Sequence, residues 1–230
     1  LVNNNNIDYV AWCWKAGDTT VANNDGTIAT QVRANTEAGF SIVTATVNQA
    51  SGSLGHGLGK TPDMILSKSR TVAYDWNVMN RELGGDEIMR LNTNAAKQTS
   101  SNYFNSFNSS TFSVAGGNSA NCSGDMVYYC WTNIPGLQKF GVYSGNSNAD
   151  GTFVNLGFRP ALLWLKRTDS TGNWVLLDSK RTPRNPANIS AYADTATDAN
   201  YSPGQDWADI LSNGFKLRAT YGEVNVGSYI

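Results

Sequence analysis

Apolar and polar positions along this chain alternate in short runs, and one run occurs twice. In DYVAWCW (residues 8–14), Val10, Trp12 and Trp14 fall on one face and Tyr9, Ala11 and Cys13 on the other. Both faces are largely apolar, the pattern of a central strand in a packed sheet. DMVYYCW (residues 125–131) repeats its Asp, Val, Cys and Trp at identical spacing. A second pair links LGKTPDMILSK (residues 58–68) with LGFRPALLWLK (residues 156–166), which aligns Pro62 with Pro160 and Lys68 with Lys166 at an offset of 98. A tryptophan follows each proline by 14 residues, at Trp76 and Trp174. Each block reads as a strand, a polar turn and a second strand opening at the tryptophan, which is a hairpin.

Periodicity on this scale predicts a repeated architecture and makes the stretch read as one window of a longer array. Residues 1–16 are then expected to be the closing strand of an upstream repeat, or an exchanged strand that fills a place left empty at the C-terminus. Residues 17–38, rich in Asn, Thr and Ala, read as a linker. Residues 39–134 form the first β-sandwich module and residues 135–230 the second, the latter incomplete at its C-terminal end. Residues 137–142 fit either an interdomain linker or the first strand of the second module. Turn pairs such as Asn24-Asp25-Gly26, Asp150-Gly151 and Pro203-Gly204 punctuate the chain. Helical periodicity is scarce, with single turns expected at residues 206–211 and 94–101. The predicted fold is all-β: two tandem antiparallel β-sandwich modules of jelly-roll or lectin-like type.

Composition narrows the chemistry. Charged residues make up 15% of the 230 residues and the net charge is −1, with no basic run to serve as a nucleic-acid footprint. No apolar stretch approaches the ~20 residues of a helical membrane span. The three cysteines, Cys13, Cys122 and Cys130, are too few for a disulfide framework, and Cys13 and Cys130 are expected to be buried thiols. The lone His56 stands in the glycine-rich GSLGHGLGK, where it reads as a turn residue, and its match at the same offset is Val154. That loop ends in Gly-Lys, but Pro62 disfavours the helix that a phosphate loop requires. One histidine and three cysteines leave no familiar zinc or triad constellation, so no catalytic residue, metal ligand or cofactor is assigned. Asp169 and Asp178 flank the second hairpin as a glycosidase pair would, yet their matches at offset 98 are Thr71 and Asn80.

Seven tryptophans and ten tyrosines are the remaining surplus. Aromatic faces stack on sugar rings when Asn or Asp hydrogen bonds accompany them. Trp76, Trp174, Tyr143 and Asp169, all near turn signals, are the candidate ligand-facing residues. Trp12, Trp14, Trp131 and Trp164 are expected in the core.

The runs AGFSIVTATVNQASGSLGHGLGKTPDMILSKSR, KFGVYSGNSNADGTFVNLGFRPALLWLKRTDSTGNWVLLDSKR and ILSNGFKLR resemble tandem modules in structural proteins of tailed phages, especially marine phages and cyanophages. The resemblance covers residues 8–230 and implies a virion component, a tail fibre or spike that contacts the host surface. The expected function is therefore non-enzymatic, with self-association or other virion proteins as partners and a host surface glycan as a further one. A secreted or cell-surface carbohydrate-binding, lectin-like module is the alternative, and a glycan depolymerase built on Asp169 and Asp178 a third.

Overall fold

The structure, a computed structural model, describes residues 5, 9–100, 103–117, 122–195, 200–201 and 205–230. It is all-β, and one 3-10 turn, Arg81–Leu83, is the helical segment among the described residues. The N-terminal half contains β1 (Val21–Asn23), β2 (Thr30–Asn35), β3 (Phe40–Thr46), β4 (Gly52–Gly55), β5 (Met64–Ser69), β6 (Asn77–Asn80), β7 (Glu87–Arg90), β8 (Gln98–Thr99), β9 (Phe104–Phe107), β10 (Thr111–Val114) and β11 (Asp125–Trp131). The C-terminal half contains β12 (Tyr143–Ser144), β13 (Phe153–Asn155), β14 (Leu162–Leu165), β15 (Val175–Asp178), β16 (Ile189–Tyr192), β17 (Asn200–Tyr201), β18 (Ala208–Leu211), β19 (Gly214–Leu217) and β20 (Ser228–Tyr229).

The first half is a sandwich of antiparallel sheets. An eight-stranded sheet in the order β1-β2-β3-β11-β5-β6-β7-β8 faces a three-stranded sheet, β4-β10-β9. Val43, Ile65, Met79 and Tyr128 from the large sheet meet Leu54, Phe104 and Phe112 from the small one in one core. β11 is central, with β3 on one side and β5 on the other, and alternation sends its side chains to two different places. Tyr128 and Cys130 enter this core, whereas Trp131 enters a second apolar cluster on the far face of the sheet.

The pairing of β3 to β11 recurs, strand for strand, in β12 to β20. The sheet β13-β19-β18 matches β4-β10-β9, and β14-β15-β16-β17 matches β5-β6-β7-β8. β20 pairs with β12 and bridges to Arg167, just past β14, as β11 joins β3 to β5. Backbone bonds follow the same frame: Val47 and Gln49 donate to Gly124 and Cys122, and Gly145 and Ser147 donate to Gly227 and Asn225. Leu163, Leu165, Val175 and Leu177 pack on Ile210, Phe215 and Leu217 to form the second core. Among the described residues no ladder joins the halves. They meet through the far-face cluster, where Phe40, Met64, Val78 and Trp131 pack with Trp174, Ile230 and Phe140.

Several expectations change. Residues 17–38 are not a linker, because they supply β1 and β2, which extend the large sheet beyond β3. The strand expected over residues 8–14 is not formed by its described residues 9–14, which run as an arm across the surface. Cys13 on that arm is exposed, whereas Cys122 and Cys130 are buried free thiols. Residues 206–211 and 94–101 hold β18 and β8 where helical turns were expected: the apolar positions of β18 alternate into the core, and β8 is a short polar edge strand paired with β7. Val154 faces Phe215 as Leu54 faces Phe112, so Val154 matches Leu54 and not His56.

Candidate functional site

An apolar cavity of about 540 Å³ lies at the seam of the two halves. One wall is residues 137–143, a second is residues 160–165, and Ile230 closes one end. Phe215, Val154 and Leu156 of the C-terminal core form the floor, and Phe40, Met64 and Asn80 of the N-terminal half form the roof. Cys13, Trp14 and Lys15 of the arm stand at its margin.

The sequence explains why the walls are held apart. Gln138 is pinned by its amide, whose Nε2 lies 2.8 to 3.1 Å from the carbonyls of Thr132, Ala38 and Gly39. The Phe140 N–H donates to Asn133 Oδ1 at 2.6 Å. Tyr143 stacks on Tyr229 with centroids 4.9 Å apart and donates its hydroxyl to Val224 O at 2.9 Å. Burial, then the neighbouring Tyr229, pushes that hydroxyl well above the usual tyrosine range, so it stays a neutral donor. On the opposite wall Trp164 tilts against Trp174 at 5.7 Å, and its buried Nε1 finds no hydrogen-bond partner among the described residues. Lys139 donates to Asn155 O at 2.8 Å.

Of the four candidate ligand-facing residues, two reach this cavity. Tyr143 and Trp174 both line it, but Trp174 is 1% exposed and donates its Nε1 to Arg90 O at 2.8 Å, which ties one half to the other. It is a core residue and not a sugar platform. Trp76 is half-buried and stacks on Tyr129 at 6.5 Å, away from the cavity. Asp169 is exposed and bonded to Arg167 Nε at 2.8 Å, and this partner holds its carboxyl below the ordinary value. Asp178 is a turn cap: its Oδ1 accepts from the N–H groups of Lys180 and Arg181, as Asn80 accepts from Glu82 N in the first half. Burial pushes its carboxyl up, but the Arg181 N–H and guanidinium outweigh that and hold it low. Neither aspartate lines the cavity.

His56 is fully buried; its Nδ1 accepts from Leu58 N, so Nε2 carries the proton that points to Asn108 O at 3.2 Å. Burial lowers its pKa, which keeps it neutral. Among the described residues no group of three His, Cys, Asp or Glu side chains is placed to hold a metal ion. The cavity is lined by no Asp or Glu side chain; what it offers is a mainly apolar surface with Lys15, Asn80, Lys139 and Asn155 among its polar side chains. Residues 137–142 fit both linker and strand by sequence. The signal that separates them lies at offset 98, where residues 138–144 align with β3.

Comparison with known proteins adds a family but no activity. A family model described as a domain of unknown function, DUF7483, matches residues 1–230. Neither a curated protein nor a solved structure matches the chain.

Proposed function

Since the chain belongs to the DUF7483 family, a domain of unknown function, its role has to be read from its own residues, and we propose that it is a non-enzymatic structural protein of repeated β-sandwich modules. The role that fits is a virion appendage, a tail fibre or spike that assembles with itself and contacts a host surface. The carrying observation is the strand-for-strand recurrence of β3–β11 in β12–β20, which makes each half a unit with its own core. Units of this kind stack along an axis without redesign of the core. The low charge and the phage-module resemblance of the sequence support the same reading.

Light-scattering mass and negative-stain images of the purified chain, with a glycan array in parallel, test it. Fibres or defined oligomers are expected. A strict monomer with sharp sugar affinity would instead favour the lectin-like module, for which the aromatic surplus is the argument. An antibody to the chain addresses location: label on the tails of a phage that encodes a DUF7483 chain supports the appendage, and label confined to soluble secreted protein contradicts it.

A further inference from the structure

Side chains of the large sheet that face the first core form rows across its strands, and one row changes character halfway along. Val43 of β3 stands opposite Tyr128 of β11, Tyr128 opposite Ser67 of β5, Ser67 opposite Asn77 of β6, and Asn77 opposite Arg90 of β7. Alternation sets the direction of the two central members. Ser67 lies two residues from Ile65 and Asn77 two from Met79, both in the first core, while the intervening Leu66 and Val78 enter the far-face cluster. Ser67 and Asn77 therefore face the inside of the sandwich, and each is 0% exposed.

The Ser67 hydroxyl and both polar atoms of the Asn77 amide are buried and have no hydrogen-bond partner among the described residues. They do not bond to each other, although the two residues are directly opposed. Their polar neighbours are already engaged. The Arg90 guanidinium is ion-paired to Asp75 Oδ2 at 3.1 Å, and the Ser69 hydroxyl donates to Ser123 O at 2.7 Å. A buried amide left without partners is costly, and the great majority of such groups in folded proteins are satisfied by protein or by ordered water.

The second half shows the same place built without polar groups. Offset 98 aligns Ser67 with Leu165 and Asn77 with Val175, and these two are opposed in the β14–β15 ladder as their counterparts are in β5–β6. Tyr192 pairs with Val175 as Arg90 pairs with Asn77. Leu165 and Val175 belong to the second core and Tyr192 packs against it. The scaffold itself therefore does not require a serine and an asparagine at this point. They bring a hydroxyl and an amide into a position that the other half fills with hydrocarbon.

We infer that Ser67 and Asn77 hold internal water in the first core, whereas the Leu165–Val175 position of the second core is dry. The chemistry selects the ligand. It has to accept from Asn77 Nδ2, donate to Asn77 Oδ1 and bond the Ser67 hydroxyl, so it must be donor and acceptor at once. A metal ion cannot donate, and among the described residues no group of three His, Cys, Asp or Glu side chains is placed to hold one. An anion would need a cation, and the charge of Arg90 is spent on Asp75. Enclosure limits the size: Phe104, Phe112 and Tyr128 pack in the same core, with the Phe112 and Tyr128 rings 4.9 Å apart. Water meets these demands, since a buried molecule makes two to four hydrogen bonds to polar groups that would otherwise go unpaired.

This site goes beyond the proposed function and does not depend on it. Magnetic relaxation dispersion of water oxygen-17 counts the molecules held inside a protein for longer than it tumbles. The wild-type chain is expected to hold at least one more such water than Ser67→Leu/Asn77→Val, which copies the dry pair of the second half; a cooperative melt checks that the variant folds. A high-resolution crystal structure of the wild-type chain should show a water within about 3.2 Å of both Ser67 Oγ and an Asn77 amide atom, and none between Leu165 and Val175. Equal water counts in the two folded proteins would overturn the inference, as would density in which the Asn77 amide bonds Ser67 or another protein group with no water beside it. Where the variant fails to fold, the wild-type density alone decides.

Discussion

Lys166 is the residue whose environment is most at odds with its charge. Its side chain is fully buried, its Nζ donates to the Arg167 carbonyl at 2.6 Å, and burial lowers its pKa to about 8 from 10.5. In the unfolded chain the ammonium keeps its proton to higher pH, so unfolding binds a proton between about pH 8 and 10.5 and stability rises with pH there. Below about pH 8 the cost of the buried charge is fully present. Lys166→Met is expected to gain on the order of 1–3 kcal/mol at pH 7, and the gain should shrink as pH rises to 10. Urea titrations of both chains across that range check it. Taking the difference between the two chains cancels the opposing titration of Cys130, whose thiol burial pushes up. Equal slopes for the two chains would contradict it.

Asp178 can be separated from an acid's role at the same scale. Asp178→Asn keeps the Oδ1 that caps Lys180 and Arg181 and loses the Arg181 partner, whereas Asp178→Ala loses both. The alanine variant should lose about 1–3 kcal/mol and the asparagine variant distinctly less. Asn80 fills the same place in the first half, which is the reason to expect this order. A thermal melt of each variant decides it.

Elements show how much the residues declared in advance. Pro62 with Pro160, Trp76 with Trp174 and the shared Asp-Val-Cys-Trp motif locate β5, β6, β14, β15 and β11, because strand pairing and a fixed turn are local in sequence. β1 and β2 were hidden in an Asn- and Thr-rich stretch, since an edge strand needs few apolar positions. The arm failed in the other direction: its pattern is a central strand's, but a central strand requires neighbours that lie far away in sequence. The cavity was equally hidden, being defined by what stands across from it. Trp174 misled because a tryptophan beside a turn looks like a platform, while its indole is spent on Arg90 O across the seam. Trp174→Phe keeps an aromatic ring but removes that bond and part of the buried indole's volume, and about 2–4 kcal/mol of stability should go with them in chemical denaturation.

At the scale of the molecule, two cores joined by an apolar seam make stability depend little on charge. The Lys15–Asp18 pair is exposed on both sides, while Arg181–Asp178 is largely buried and weakly screened. The melting temperature should therefore shift by only a few degrees between low and high salt, and a large fall with added salt would count against this picture. The central claim is that each half carries its own core. Native-state hydrogen exchange tests it most directly, with the amides of Tyr128 and Cys130 in the first core followed together with those of Leu177 and Phe215 in the second. Both sets should be strongly protected. Fast exchange across the whole of either set would contradict it.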